Sequence, residues 1–127
     1  MSTIARFFLT SGAAFALTAV LLGAFGAHAL KDHLSPEMLA VYHSAVEYQF
    51  YHAFGLLVVG ISTNSTPNSR LLRWSGALMI SGIVLFSGSL YLLSVTGTHW
   101  LGAVTPFGGI AFVAAWACLI AAVLKQR

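Results

Sequence analysis

Charge is what this chain has least of. Six Lys and Arg and three Asp and Glu are spread over 127 residues, 7% in all, where soluble domains carry about a quarter. With 58% of residues hydrophobic, one small core cannot hide the apolar surface, which excludes an ordinary soluble domain and calls for lipid as solvent. Cysteine is nearly absent too. The single Cys118 excludes an intrachain disulfide and, set inside an apolar run, reads as inert packing. The basic residues form no patch or stripe, so the net charge of +3 orients helices in a membrane and does not mark a nucleic-acid surface.

What remains is apolar sequence in four runs, about 7–27, 42–61, 71–93 and 101–124. Each is close to the ~20 residues that carry a helix across ~30 Å of hydrocarbon. Lipid offers no hydrogen bonds to the backbone, so only helices or a closed barrel can cross it. Runs of this length without strict alternation exclude the barrel. The expected fold is all-α, an integral membrane four-helix bundle forming a single domain over 1–127. Arg6 with Ala27-His28-Ala29 resembles a signal peptide with its cleavage site, but the run between them is longer than the usual ~7–15 residues, so it is read as the first span.

Four spans put both termini on one side, together with Arg6, Arg70, Arg73, Lys125 and Arg127. The other side holds Lys31 alone among basic residues, beside Asp32 and Glu37. This positive-inside bias places the N and C termini in the cytoplasm. Ser35-Pro36-Glu37 reads as a helix start, with Ser as N-cap and Pro at the first helical position, so the second helix runs from about Pro36 to Ile61. Residues 62–69 read as a polar cytoplasmic loop, and 96–99 as a tight outer link between helices three and four. Pro106 belongs in the first turn of the fourth helix, where its missing N–H costs nothing. Trp74 and Trp100 suit the two interfacial belts.

Small residues recur by threes, fours and sevens: Gly12, Ala16, Ala19, Gly23 and Gly26; Ser75, Gly82 and Ser89; Gly108, Ala111, Ala115, Cys118 and Ala122. Such seams mark the faces on which membrane helices pack.

The residues that could carry chemistry cluster on the second helix. Ser44, Glu47, Tyr48, Tyr51 and His52 fall within about 140° of one face, and ionisable groups should face the bundle interior. Glu47 with His43, and Tyr48 with His52, are spaced for hydrogen bonding one turn apart. His28, His43, Glu47 and His99 lie at similar depth toward the outer side and form the alternative, a metal site. No HExxH, CxxC, P-loop, nucleophile elbow or dinucleotide fingerprint is present, so no cofactor and no enzymatic activity is expected.

Gly23-Ala24-Phe25-Gly26-Ala27-His28-Ala29-Leu30, Tyr48-Gln49-Phe50-Tyr51-His52-Ala53, Leu85-Phe86-Ser87-Gly88-Ser89-Leu90-Tyr91 and Thr105-Pro106-Phe107-Gly108-Gly109 together resemble the domain of unknown function 423 family. Its members are small membrane proteins, YgdD-like in bacteria and similar to transmembrane protein 256 of animals. The resemblance implies a multi-pass protein of the bacterial inner (plasma) membrane and supplies no reaction. His28, Gln49 and His52 fall in its motifs, whereas His33, His43 and His99 do not. The candidate polar cluster is therefore His28, Glu47, Tyr48, Gln49 and His52, most simply a network that fixes helix register. The expected function is a non-enzymatic accessory or assembly role. The alternatives are a small proton-linked transporter and a membrane protein that binds a metal or cofactor through its outer-side His and Glu. The expected partners are the lipid bilayer and a second copy or another membrane protein, with no nucleic acid.

The charge asymmetry generates a direct expectation. In a Cys118→Ala background, Thr98→Cys should react with an impermeant thiol reagent on intact cells and Ser65→Cys should not. The reverse pattern would invert the topology.

Overall fold

A computed structural model describes residues 1–126; Arg127, counted above with the basic end, lies outside the described residues. Helix α1 runs over Thr3–Phe25 and continues through a π-helical turn, Gly26–Leu30. Helix α2 is Pro36–Ser65. Helix α3 is Arg70–Gly82, a π turn at Ile83–Ser87, then Gly88–Thr96. Helix α4, Thr105–Lys125, follows a 3-10 turn at His99–Ala103. The described residues contain no strand.

Local chemistry sets the ends. The Ser2, Ser35 and Ser69 hydroxyls accept from the N–H groups of Ala5, Met38 and Leu72, so three helices begin on a serine N-cap. Pro36 and Pro106 occupy first turns as expected. Gly97 closes α3 with φ of 70°, the left-handed conformation in which a Cβ would be strained. The main departure from the sequence reading is α2, which continues past Ile61 to Ser65. Thr63 makes this possible by turning its hydroxyl back to the Val59 carbonyl at 2.7 Å, and so adds no unpaired polar group.

Three helical stretches, Thr3–Leu30, Arg70–Thr96 and His99–Lys125, are long and apolar enough to cross a membrane. Helix α2 has the length, about 45 Å at 1.5 Å per residue, but is not among them. The reason is its polar content, which includes His43, Glu47, Gln49 and His52. The same helix is the most enclosed of the four, with eleven buried residues. Large apolar side chains such as Leu17, Phe25, Val113 and Ile120 cover the outside of the molecule instead.

Helix α1 packs on α2, α3 packs on α4, and α2 lies against α3, while α1 and α3 barely meet. The core draws on all four helices through Phe8, Leu56, Val59, Met79, Ile83 and Phe112. One end gathers the α1 start, the α2–α3 turn and the α4 end. There the Ser2 amide donates to Asn64 Oδ1, and Gln126 Nε2 donates to Thr66 Oγ1. Arg6, Arg70, Arg73 and Lys125 therefore belong to one end of the molecule.

The small-residue seams are contact faces. Gly12, Ala19, Gly26, Ser75, Gly82, Ser89, Gly108, Ala111, Ala115 and Ala122 are buried; Ala16, Gly23 and Cys118 are half-buried. Their tightness differs. A Cβ on Gly108 would come within 2.4 Å of the Phe86 amide nitrogen, in the π turn of α3, and one on Gly12 would lie 2.8 Å from the Ala53 carbonyl oxygen. At Gly23 the nearest atom is Val46 Cγ1 at 3.4 Å, so that part of the α1 seam has more room. At Gly88 nothing lies within 4 Å.

Gly108→Ala should therefore destabilise the protein by about 1–3 kcal/mol, because backbone must move, whereas Gly88→Ala should be neutral or stabilising. Thermal unfolding in detergent distinguishes them, and equal behaviour would mean that α4 does not sit on the π turn of α3.

Candidate functional site

Besides Thr63 near its end, helix α2 buries two larger polar side chains, Gln49 at 3% and His52 at 4% exposure. They face opposite neighbours. Gln49 turns toward the cleft between α1 and α3. Its Nε2 donates to the Phe15 carbonyl at 2.8 Å and to Thr18 Oγ1 at 2.7 Å, and its Oε1 accepts from the Tyr91 hydroxyl at 2.7 Å. One side chain thereby ties three helices. A groove of about 320 Å³ opens above it, walled by Phe15, Thr18 and Leu22 on one side and by Val84, Ser87, Gly88 and Tyr91 on the other. The gap exists because Gly88 contributes no side chain and α1 and α3 do not close on each other.

His52 turns the other way, toward α4. Its ring stacks on Phe112 with centroids 3.4 Å apart and planes within 8°. Trp116 Nε1 donates to His52 Nε2 at 3.0 Å, and His52 Nδ1 lies 2.7 Å from the Tyr48 carbonyl oxygen. An indole can only donate, and a carbonyl can only accept. These two bonds together fit one arrangement, a neutral ring with its proton on Nδ1.

Further ties use backbone carbonyls. Ser87 in the π turn donates to the Ala45 carbonyl of α2 at 2.7 Å, and Ser75 donates to the Ala115 carbonyl of α4 at 2.8 Å. The Tyr42 hydroxyl donates to the Leu22 carbonyl, with its ring against Gly26 where α1 becomes π-helical. Among the described residues every buried side-chain nitrogen and oxygen has a hydrogen-bond partner.

The polar arc expected on one face of α2 is split. His52 points inward. Tyr48 is 39% exposed, its ring 4.6 Å from Phe86. Glu47, Tyr51 and His43 face outward. The side-chain pair expected between Tyr48 and His52 is replaced by a bond to the Tyr48 backbone, and none forms between His43 and Glu47. The divergence is geometric: five residues over 140° straddle the boundary between α2's buried and open sides. His28 lies exposed in the π turn of α1 and His99 is exposed at the start of the 3-10 turn. Among the described residues no three His, Cys, Asp or Glu come together to hold a metal, so His28, His43, Glu47 and His99 are not assembled into one site.

Thr18, Tyr91, Phe112 and Trp116 were not singled out from sequence. Trp116 did carry a signal: it sits in the middle of α4, far from the helix ends where Trp usually anchors. Tyr91 closes the third quoted motif, but nothing in the sequence pairs it with Gln49, 42 residues away.

The model of the family described as "Protein of unknown function (DUF423)" matches residues 22–109. The chain is 47% identical over 120 residues to the UPF0382 membrane protein YwdK of Bacillus subtilis, covering 94% of this chain and 98% of that protein. It is 46% identical over 120 residues to a UPF0382 membrane protein of Staphylococcus epidermidis, covering 94% and 97%. A Staphylococcus aureus UPF0382 membrane protein is 43% identical over the same coverage. No solved structure matches the chain.

Gln49→Leu should cost about 1–2 kcal/mol, since it strands the Tyr91 hydroxyl in an apolar setting, whereas the Thr18 hydroxyl keeps its bonds to the Ala14 and Phe15 carbonyls. Tyr91→Phe should cost less, and the double variant less than the sum of the two. Thermal denaturation in one detergent gives all three values; strict additivity would show that the two side chains do not bond.

Proposed function

The chain belongs to the DUF423 family, and on that premise we propose that it is a four-span protein of the bacterial inner membrane that catalyses no reaction and serves as an accessory or assembly partner of other membrane proteins. In this reading residues 1–127 form one bundle, α2 crosses with the other three helices, and both termini are cytoplasmic. The shared end of Arg6, Arg70, Arg73 and Lys125 supports that orientation. The enclosure of Gln49 and His52 on α2 supports its crossing, because these two reach the membrane interior with their partners already in place.

One observation carries the non-enzymatic reading. The buried polar groups are consumed in holding helices together, down to both ring nitrogens of His52 and three hydrogen bonds on Gln49. A general base or relay works through a partner that can give or take a proton, and the partners of the His52 nitrogens are an indole N–H and a peptide carbonyl, which do neither near neutral pH. The rival reading, a proton-linked transporter, would join Glu47 to His52. They leave α2 in different directions, Glu47 outward and His52 into the bundle.

The test compares wild-type and His52→Leu protein, both checked for fold. After extraction in mild detergent, the accessory reading predicts the same stoichiometric membrane-protein partner for both by quantitative mass spectrometry. The reading is overturned if purified protein in liposomes moves protons or solute and Glu47→Gln or His52→Leu abolishes that movement.

A further inference from the structure

We propose that the open face of α2 is the contact between two copies of this chain, closed by Glu47 of each copy against His43 of the other. The proposal rests on the four-span reading, since it concerns a helix face inside the membrane. On that helix the outward residues His43, Glu47, Tyr51, Phe54, Val58 and Ile61 are all exposed and follow steps of four, four, three, four and three. That spacing is one continuous stripe, the seam of a helix pair.

The polar half of the stripe, His43 and Glu47, cannot be left to lipid. Ser87 of α3 bonds the Ala45 carbonyl, which levels Ala45 with a position about nine residues short of the α3 end at Thr96. Glu47 lies a further half-turn in, roughly 15 Å inside the bundle's outer end at 1.5 Å per residue. Among the described residues neither Glu47 nor His43 makes a side-chain hydrogen bond within the chain. An ionisable group at that depth pairs with another group or lines a polar interior. Within this chain Glu47 does neither. Helix α2 is also the one helix whose composition does not suit direct contact with lipid.

The occupant is a second copy because the stripe is complementary to itself. It carries an acid and a base one turn apart. A two-fold axis along the membrane normal sets two such stripes side by side at equal depth. Glu47 and the other copy's His43 are offset by one turn, about 6 Å along the axis, a gap that the two long side chains can bridge, and symmetry makes the tie twice. Beyond Tyr51, two turns further in, the stripe becomes apolar, with Phe54, Val58 and Ile61 available to interdigitate.

The experiment uses the full chain with Cys118→Ala in native membranes. Phe54→Cys should give an oxidative cross-link whose mass is two copies of the chain, and Val113→Cys, on the exposed face of α4, should not. Single Glu47→His and single His43→Glu variants should lower the dimerisation constant in lipid roughly tenfold, an interhelical polar contact counted twice. The exchanged pair, His43→Glu with Glu47→His, should recover most of the loss, which a merely misfolded variant would not do. A cross-link through Val113→Cys alone, monomers throughout, or a Phe54→Cys adduct with a different protein would overturn the proposal. Labelling Ser35→Cys and Ser65→Cys from opposite sides of the membrane establishes separately that α2 crosses. Labelling from one side would defeat the four-span reading and this proposal with it.

Discussion

The structure depends on enclosing one polar helix among three apolar ones. Gln49 and His52 of α2 lie deep in the molecule, where an unpartnered amide or imidazole would cost several kcal/mol in an apolar medium. Each is met by groups that only a specific arrangement can supply. Gln49 needs α1 and α3 at once, through Phe15, Thr18 and Tyr91. His52 needs α4, through Phe112 and Trp116. The two side chains together fix where all three neighbours stand around α2. Apolar packing alone would not, because lipid tails are as apolar as leucine and give helices little reason to choose one partner over another.

Close approach of backbones makes these bonds reachable. Gly12 brings α1 onto Ala53, Gly26 admits the Tyr42 ring, and Gly108 lets α4 rest on the Phe86 backbone. The π turns belong to the same scheme. A π turn spaces its carbonyls and side chains differently from an α-helix, and both in this protein sit at interhelical ties: Gly26–Leu30 beside Tyr42, and Ile83–Ser87 where Ser87 reaches Ala45 and Phe86 meets Gly108. Gly82 and Gly88 flank the second one, so the helix can change its winding without crowding side chains.

Much of this was legible in the sequence. Long apolar runs gave the helices, Ser35-Pro36 gave the start of α2, and the seams of small residues gave the contact faces, with Gly82, Gly108 and Ala115 all buried. The motif resemblance agrees with membership in DUF423. The inward orientation of His52 followed from the cost of facing lipid. What could not be read was which half of a broad polar arc turns inward. Glu47 and His52 sit five residues apart, and only the packing of α4 on one side and open space on the other separates them. Gln49 was picked out by its motif, but its partners lie 31, 34 and 42 residues distant, and no local pattern encodes contacts of that range. Trp116 showed itself by its place in mid-helix, but its pairing with His52, 64 residues away, was hidden for the same reason.

The central claim is that the buried polar residues are ties between helices and hold no free position for chemistry. Nitrogen-15 magic-angle-spinning NMR of His52 in lipid bilayers tests it most directly, because the two ring nitrogens report separately on what each one bonds. The account predicts a neutral ring with a protonated Nδ1 held by the Tyr48 carbonyl and a bare Nε2 accepting from the Trp116 indole, the latter bond lost in Trp116→Phe. A ring carrying its proton on Nε2, or one whose signals are unchanged by Trp116→Phe, would contradict it.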